Sequence, residues 1–134
     1  MEGEMDVTKQ MLKDYKNMKL DLQSLDEERR YVYNTYRSPS FQSEGFGGTD
    51  NPSSPVERAQ IQLQRIDDRR DKLITEMHEI EEHVEAVSDQ RIRSILRYKY
   101  ILCYSWESTS SIMSMSESHI RSCERQYFEK HDFI

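Results

Sequence analysis

Two runs of apolar residues that step by three and four decide what this chain can fold into, because such spacing lays a stripe along one face of a helix, and a stripe has to be covered. The first run is Met11, Tyr15, Met18, Leu22, Leu25, Arg29, Val32 and Tyr36, in a segment from about Met5 to Arg37 that contains no glycine or proline and is rich in good helix formers. The second is Val56, Ala59, Leu63, Ile66, Arg70, Leu73, Met77, Ile80, Val84 and Val87. Between them, residues 38–54 hold all but one of the glycines and two of the three prolines, which predicts a mobile connection. Its Gly45-Phe46-Gly47-Gly48 lacks the Gly-Lys-Ser/Thr of a phosphate-binding loop. Ser54 suits a helix cap and Pro55 a first helical position. Two helices, each about 45–50 Å long at ~1.5 Å per residue, are expected to form a long antiparallel hairpin.

Leu22, Leu25, Leu63, Ile66, Leu73, Met77 and Ile80 are the candidate partner-binding residues of that arm. Leu12 and Leu20 beside the first seam, and Ile61 and Ile74 beside the second, are expected to stay exposed on a two-helix layer, which favours a homodimer. Arg29 and Arg70 occupy seam positions where an aliphatic residue is expected. Their stems should pack while the guanidinium groups reach neighbouring carboxylates, and a polar group in a seam can fix its register.

Charge divides the 134 residues unevenly. Residues 1–88 carry 12 Lys+Arg against 19 Asp+Glu, a net of -7, and residues 89–134 carry 7 against 6, a net of +1. An acidic arm, 1–88, is thus joined to a near-neutral module, 89–134. No run approaches a membrane span and the N-terminus does not read as a signal peptide, so no membrane partner and a cytoplasmic location are expected. Cys103 and Cys123 are expected to be buried free thiols. His78 and His83, five apart and roughly 140° around a helix, do not share a face as metal ligands would.

In the module, Ser88-Asp89 reads as a cap and Gln90–Ile101 as a helix with Ile92, Ile95 and Leu96 on its apolar side and Arg91, Arg93, Arg97 and Lys99 elsewhere. Ser105 suits the cap of a short helix ending near Met113, with Glu107 in its first turn. Ser114-Met115-Ser116 forms a turn, and Glu117 to about Phe128 a further helix with Ile120, Cys123 and Tyr127 on its buried stripe. Two short helices around a three-residue turn predict a helix-turn-helix, with Ser110 small enough for the helices to cross and Ser114 in the turn. Opposite the stripe fall Ser116, Ser118, Arg121, Ser122 and Arg125, the candidate base-reading surface, with Arg91, Arg93 and Lys99 as candidate phosphate contacts. Trp106 is expected to anchor the core by covering Leu102 and Ile112.

The stretch from Arg97-Tyr98 through Ser105-Trp106-Glu107 to Met115-Ser116-Glu117-Ser118-His119-Ile120 resembles the C-terminal module of phage-encoded late-gene transcription regulators of the RinA/ArpU type, which are similar to region four of bacterial sigma factors. Their architecture of long helix, loop, second long helix and helix-turn-helix resembles the whole chain, and residues 96–120 carry the closest likeness. Where that family usually shows an Ile-Ala pair, Thr109-Ser110 stands here, and Ser122-Cys123-Glu124 stands where basic residues often follow. The resemblance implies a sequence-specific DNA-binding transcription regulator of phage or prophage genes, with duplex DNA and RNA polymerase as expected partners.

No nucleophile with a partner at readable spacing and no metal-ligand set is seen, so no enzyme, no cofactor and no small-molecule substrate is expected. The alternative expectation is an acidic protein-binding inhibitor, an anti-host or anti-defence factor whose arm occupies the basic groove of a nucleic-acid-handling protein.

Overall fold

The computed structural model describes residues 7–131 apart from 38–53, and all regular structure among them is helical. The helices are α1 (Lys9–Arg37), α2 (Pro55–Glu85), α3 (Gln90–Leu96, prolonged by a π turn over Arg97–Ile101), α4 (Trp106–Met113) and α5 (Glu117–His131). The connection expected over 38–54, with its glycine run, lies outside the described residues except for Ser54.

Each helix begins where a short polar side chain can take up its unpaired amides. The Thr8 hydroxyl accepts from the Met11 amide at 3.1 Å. At α2 the exchange is reciprocal: the Glu57 amide donates to Ser54 Oγ at 3.0 Å and the Ser54 amide to Glu57 Oε1 at 3.2 Å, a capping box with Pro55 in the first turn. Asp89 accepts from the amides of Arg91 and Ile92, and Ser105 from that of Ser108.

The described residues pack as two units, one lying within 20–75 and the other formed by 7–19 with 76–131. In the first, Leu25, Val32, Ala59 and Ile66 form a buried cluster flanked by Tyr36, Leu63 and Leu73. Arg29 Nε lies 2.8 Å from Asp67 Oδ1 and Arg70 Nε 2.6 Å from Asp26 Oδ1. The two contacts climb α1 while descending α2, so here the helices run in opposite senses. The seam arginines pair as expected with carboxylates, and those carboxylates are on the facing helix. Arg29's hydrogen bond holds the Asp67 carboxyl below the usual carboxylate range.

In the other unit Val7, Leu12, Ile95, Leu96 and Ile120 are almost fully buried. Leu12 corrects the expectation of an exposed flank: it is 1% exposed, whereas Leu20, Ile61 and Ile74 are open as expected. Lys9 Nζ lies 5.7 Å from the Phe128 ring centroid. The first turn of α1 thus meets α5. The Tyr15 hydroxyl donates to Glu81 Oε2 at 2.6 Å, and Lys19 Nζ donates to the Ile101 carbonyl at 2.7 Å.

The helix expected to run unbroken through Ile101 widens instead, with the Leu102 amide reaching the Arg97 carbonyl at 2.9 Å. Cys103 then takes φ of 59° and is exposed; Cys123 is half-buried, so neither cysteine is the buried thiol expected. α4 ends at Ser114, which has φ of 56° and ψ of 43°. The Met115 amide donates to the Ser110 carbonyl at 3.2 Å, closing a Schellman-type cap. Thr109, where an aliphatic residue suits the crossing better, is fully buried with its hydroxyl donating to the Ser105 carbonyl at 2.9 Å.

Ile66→Ala should lower stability by about 2–5 kcal/mol, and Ile61→Ala by no more than about 0.5 kcal/mol, in urea unfolding followed by circular dichroism. Ser114→Gly should raise stability by about 1 kcal/mol, since glycine adopts the left-handed conformation without a Cβ clash.

Candidate nucleic-acid interface

The site is built on α5, whose inner side is fixed by Ile120, Glu124 and Phe128, all buried. This corrects the expected stripe: Cys123 and Tyr127 are half-buried, and a carboxylate holds the central position. Spacing by four brings 120, 124 and 128 onto one side of the helix. Glu124 is tolerated there because the Tyr100 hydroxyl donates to its Oε2 at 2.6 Å, while Oε1 is buried without a hydrogen-bond partner. Burial, then the hydrogen bond to Glu124 and its charge, push the Tyr100 phenol well above its ordinary range. Burial and Glu81 do the same to Tyr15.

The surroundings of Trp106 differ from the expected apolar anchor. Leu102 and Ile112 are both exposed, and the indole is half-buried. Two cations meet it: Lys99 Nζ is 4.2 Å from a ring centroid and Arg121 Cζ 5.0 Å. A cation over an aromatic face is attracted by the ring's quadrupole, and partial desolvation strengthens that attraction. Lys99 also donates to the Tyr104 carbonyl at 3.1 Å, and burial lowers the pKa of its ammonium against the opposing pull of Glu124. Sequence spacing offered no sign of this grouping, since Lys99, Trp106 and Arg121 come from three different helical segments.

The candidate base-reading residues separate by role. Ser118, Arg121 and Arg125 are exposed on α5, and Arg121 and Arg125 are one turn apart. Arg121 has Glu117 Oε1 at 3.6 Å, a loose pair within the helix. Ser116 is exposed and caps α5, its Oγ accepting from the His119 amide at 3.1 Å. Ser122 is half-buried and accepts from Gln126. Of the candidate phosphate contacts, Arg91 is exposed, Arg93 donates to the Val87 carbonyl at 2.7 Å, and Lys99 is held at Trp106. Arg97 pairs with Glu85. Arg91, Arg121 and Arg125 are therefore the exposed cations of the set.

The candidate partner-binding residues divide as well: Leu25, Ile66, Met77 and Ile80 are buried within the chain, and Leu22, Leu63 and Leu73 are half-exposed. Comparison with known proteins gives no match to a family model, to a curated protein or to a solved structure.

The two raised phenols set an alkaline limit. In the unfolded chain they ionise near pH 10.0, while in the folded chain they keep their protons to higher pH. Their contribution is complete below pH 10.0 and is lost as pH rises beyond it, so stability should fall there. Tyrosinate absorbance should show Tyr15 and Tyr100 keeping their protons to higher pH in the folded chain than in the unfolded one, and Tyr100→Phe should remove one of these two late steps. The same substitution should cost about 1–3 kcal/mol at neutral pH, because it leaves Glu124 buried without its donor.

Proposed function

We propose that this chain is a sequence-specific DNA-binding transcription regulator of the phage or prophage kind, in which α4, the turn Ser114–Ser116 and α5 act as a helix-turn-helix. On this reading α5 enters the major groove. The α1–α2 pair is a long hairpin arm that joins two copies and is available to RNA polymerase. The observation that carries the reading is the two-sidedness of α5, with Ile120, Glu124 and Phe128 buried behind and Ser118, Arg121 and Arg125 exposed in front. The left-handed cap at Ser114 supports it, since a sharp reversal of the chain is what sets two short helices across each other. Arg121 is the residue for direct readout, because a guanidinium can pair bidentately with guanine. Arg91 is the candidate for phosphate contact.

A second reading draws on the net charge of -7 over residues 1–88 and on exposed Glu79 and Glu82. There the arm occupies the basic groove of another protein.

Gel retardation on duplex DNA from the chain's own upstream region, against random duplex, tests the first reading. Arg121→Ala should narrow the ratio of specific to random affinity by about tenfold, within the ~1–3 kcal/mol of a bidentate pair. Arg91→Ala should weaken both about equally and lower the salt slope by about one. An unchanged ratio in Arg121→Ala defeats the assignment. Loss of promoter control only on reversing Glu79 and Glu82 selects the second reading; Glu85 is left intact in that variant because it pairs with Arg97.

A further inference from the structure

The two flanks of the α1–α2 seam within residues 20–75 differ. One carries Asp26, Arg29, Asp67 and Arg70, paired across the helices. The other is an open groove lined by Glu28 and Tyr31 from α1 and by Arg58, Ile61, Arg65 and Arg69 from α2, with Val32, Ala59 and Ile66 along its floor. Tyr31 is 71% and Ile61 51% exposed on its rim. Among the described residues, Glu28, Arg65 and Arg69 make no ion pair.

Helical spacing sorts the charges of this flank by helix. Asp21, Ser24, Glu28, Tyr31 and Thr35 follow one another by three and four along α1, an acidic row in that its two charged members, Asp21 and Glu28, are both negative. Arg58, Gln62, Arg65, Arg69 and Lys72 do so along α2, a basic row. We infer that this flank is the docking surface for a second copy of the chain, with α1 of each copy lying on α2 of the other. The inference deepens the dimer half of the proposed function and is independent of its DNA half.

Charge selects the symmetry. Two such layers can meet face to face about a two-fold axis running across the helices or along them. The first sets α2 on α2 and brings the arginine rows together. The second sets the acidic row of each copy on the basic row of the other. It also preserves level along the helices, and level is fixed by the pairs Arg29–Asp67 and Asp26–Arg70. Glu28 of the second copy then comes level with the span between Arg65 and Arg69, and its Asp21 comes within a turn of Lys72. Its Tyr31 comes level with Arg65, one turn from Ile61, and covers the apolar floor. The α1 that enters runs opposite to the α2 it meets, the usual sense of neighbours in a four-helix bundle. A face that carries both halves of its own complement, at matching levels, fits a second copy better than a partner of one charge sign.

Sedimentation of the full chain at tens of micromolar, without DNA, tests this. The chain should sediment at twice its 16.1 kDa. Glu28→Arg, or Arg65→Glu with Arg69→Glu, should weaken association at least about tenfold, since like charges then face each other. Mixing these two variants in equal amounts should restore a dimer, because each supplies what the other lacks. Neutral Glu28→Gln and Arg69→Gln should weaken association in the same direction and serve if a reversal lowers helix content by circular dichroism. A wild-type monomer, a dimer indifferent to the reversals, or variants that stay monomeric when mixed each overturn the proposal. Retardation of duplex DNA is measured separately, so failure of pairing and failure of DNA reading remain distinct results.

Discussion

The reciprocal pairs of Arg29 with Asp67 and Arg70 with Asp26 set the alignment on which the contacts of residues 20–75 depend. Apolar stripes on two long helices fit one another almost equally well one turn up or down, because Leu, Ile and Met tolerate one another's places. The charges do not. A slip of one turn in one direction sets Arg29 against Arg70, and in the other it sets Asp26 against Asp67. Each pair is half-exposed, so solvent screens it and it is worth little in energy by itself. Their value lies in separating the native alignment from its neighbours, as a polar residue does in a coiled-coil seam.

The sequence was most informative where structure is decided locally. Ser54, Asp89 and Ser105 read as caps because an N-terminal amide and a short polar side chain meet within three residues. The turn at Ser114 was legible because it too is closed within a few residues, by backbone amides that reach back to the Ser110 and Ser111 carbonyls. Buried contacts were less so. Leu12 read as a flank because a two-helix pattern takes no account of the other segments packed in its unit, and Glu124 was left off the buried stripe because its donor, Tyr100, lies on another segment. The widened turn at Arg97–Ile101 leaves no mark on composition, since its residues are ordinary helix formers.

The candidate interface shows the same division. Exposure of Arg121 and Arg125 followed from the period of α5, whereas the uses of Arg93 and Lys99 depend on carbonyls that the fold brings to them. Basic residues in one short stretch thus divide between holding the chain together and facing outward. Counting charge along a sequence cannot make that separation, because it is a property of where backbone acceptors are left over.

The setting of Trp106 has an optical consequence. It is the chain's one tryptophan, so all indole emission arises at a single point, close to both Lys99 and Arg121. An indole's excited state redistributes its electrons, and the field of two nearby positive charges shifts the colour of the light it gives out. Any event that draws Arg121 away from the ring changes that field. The chain therefore carries a native, label-free probe whose emission follows the positions of the Lys99 ammonium and the Arg121 guanidinium.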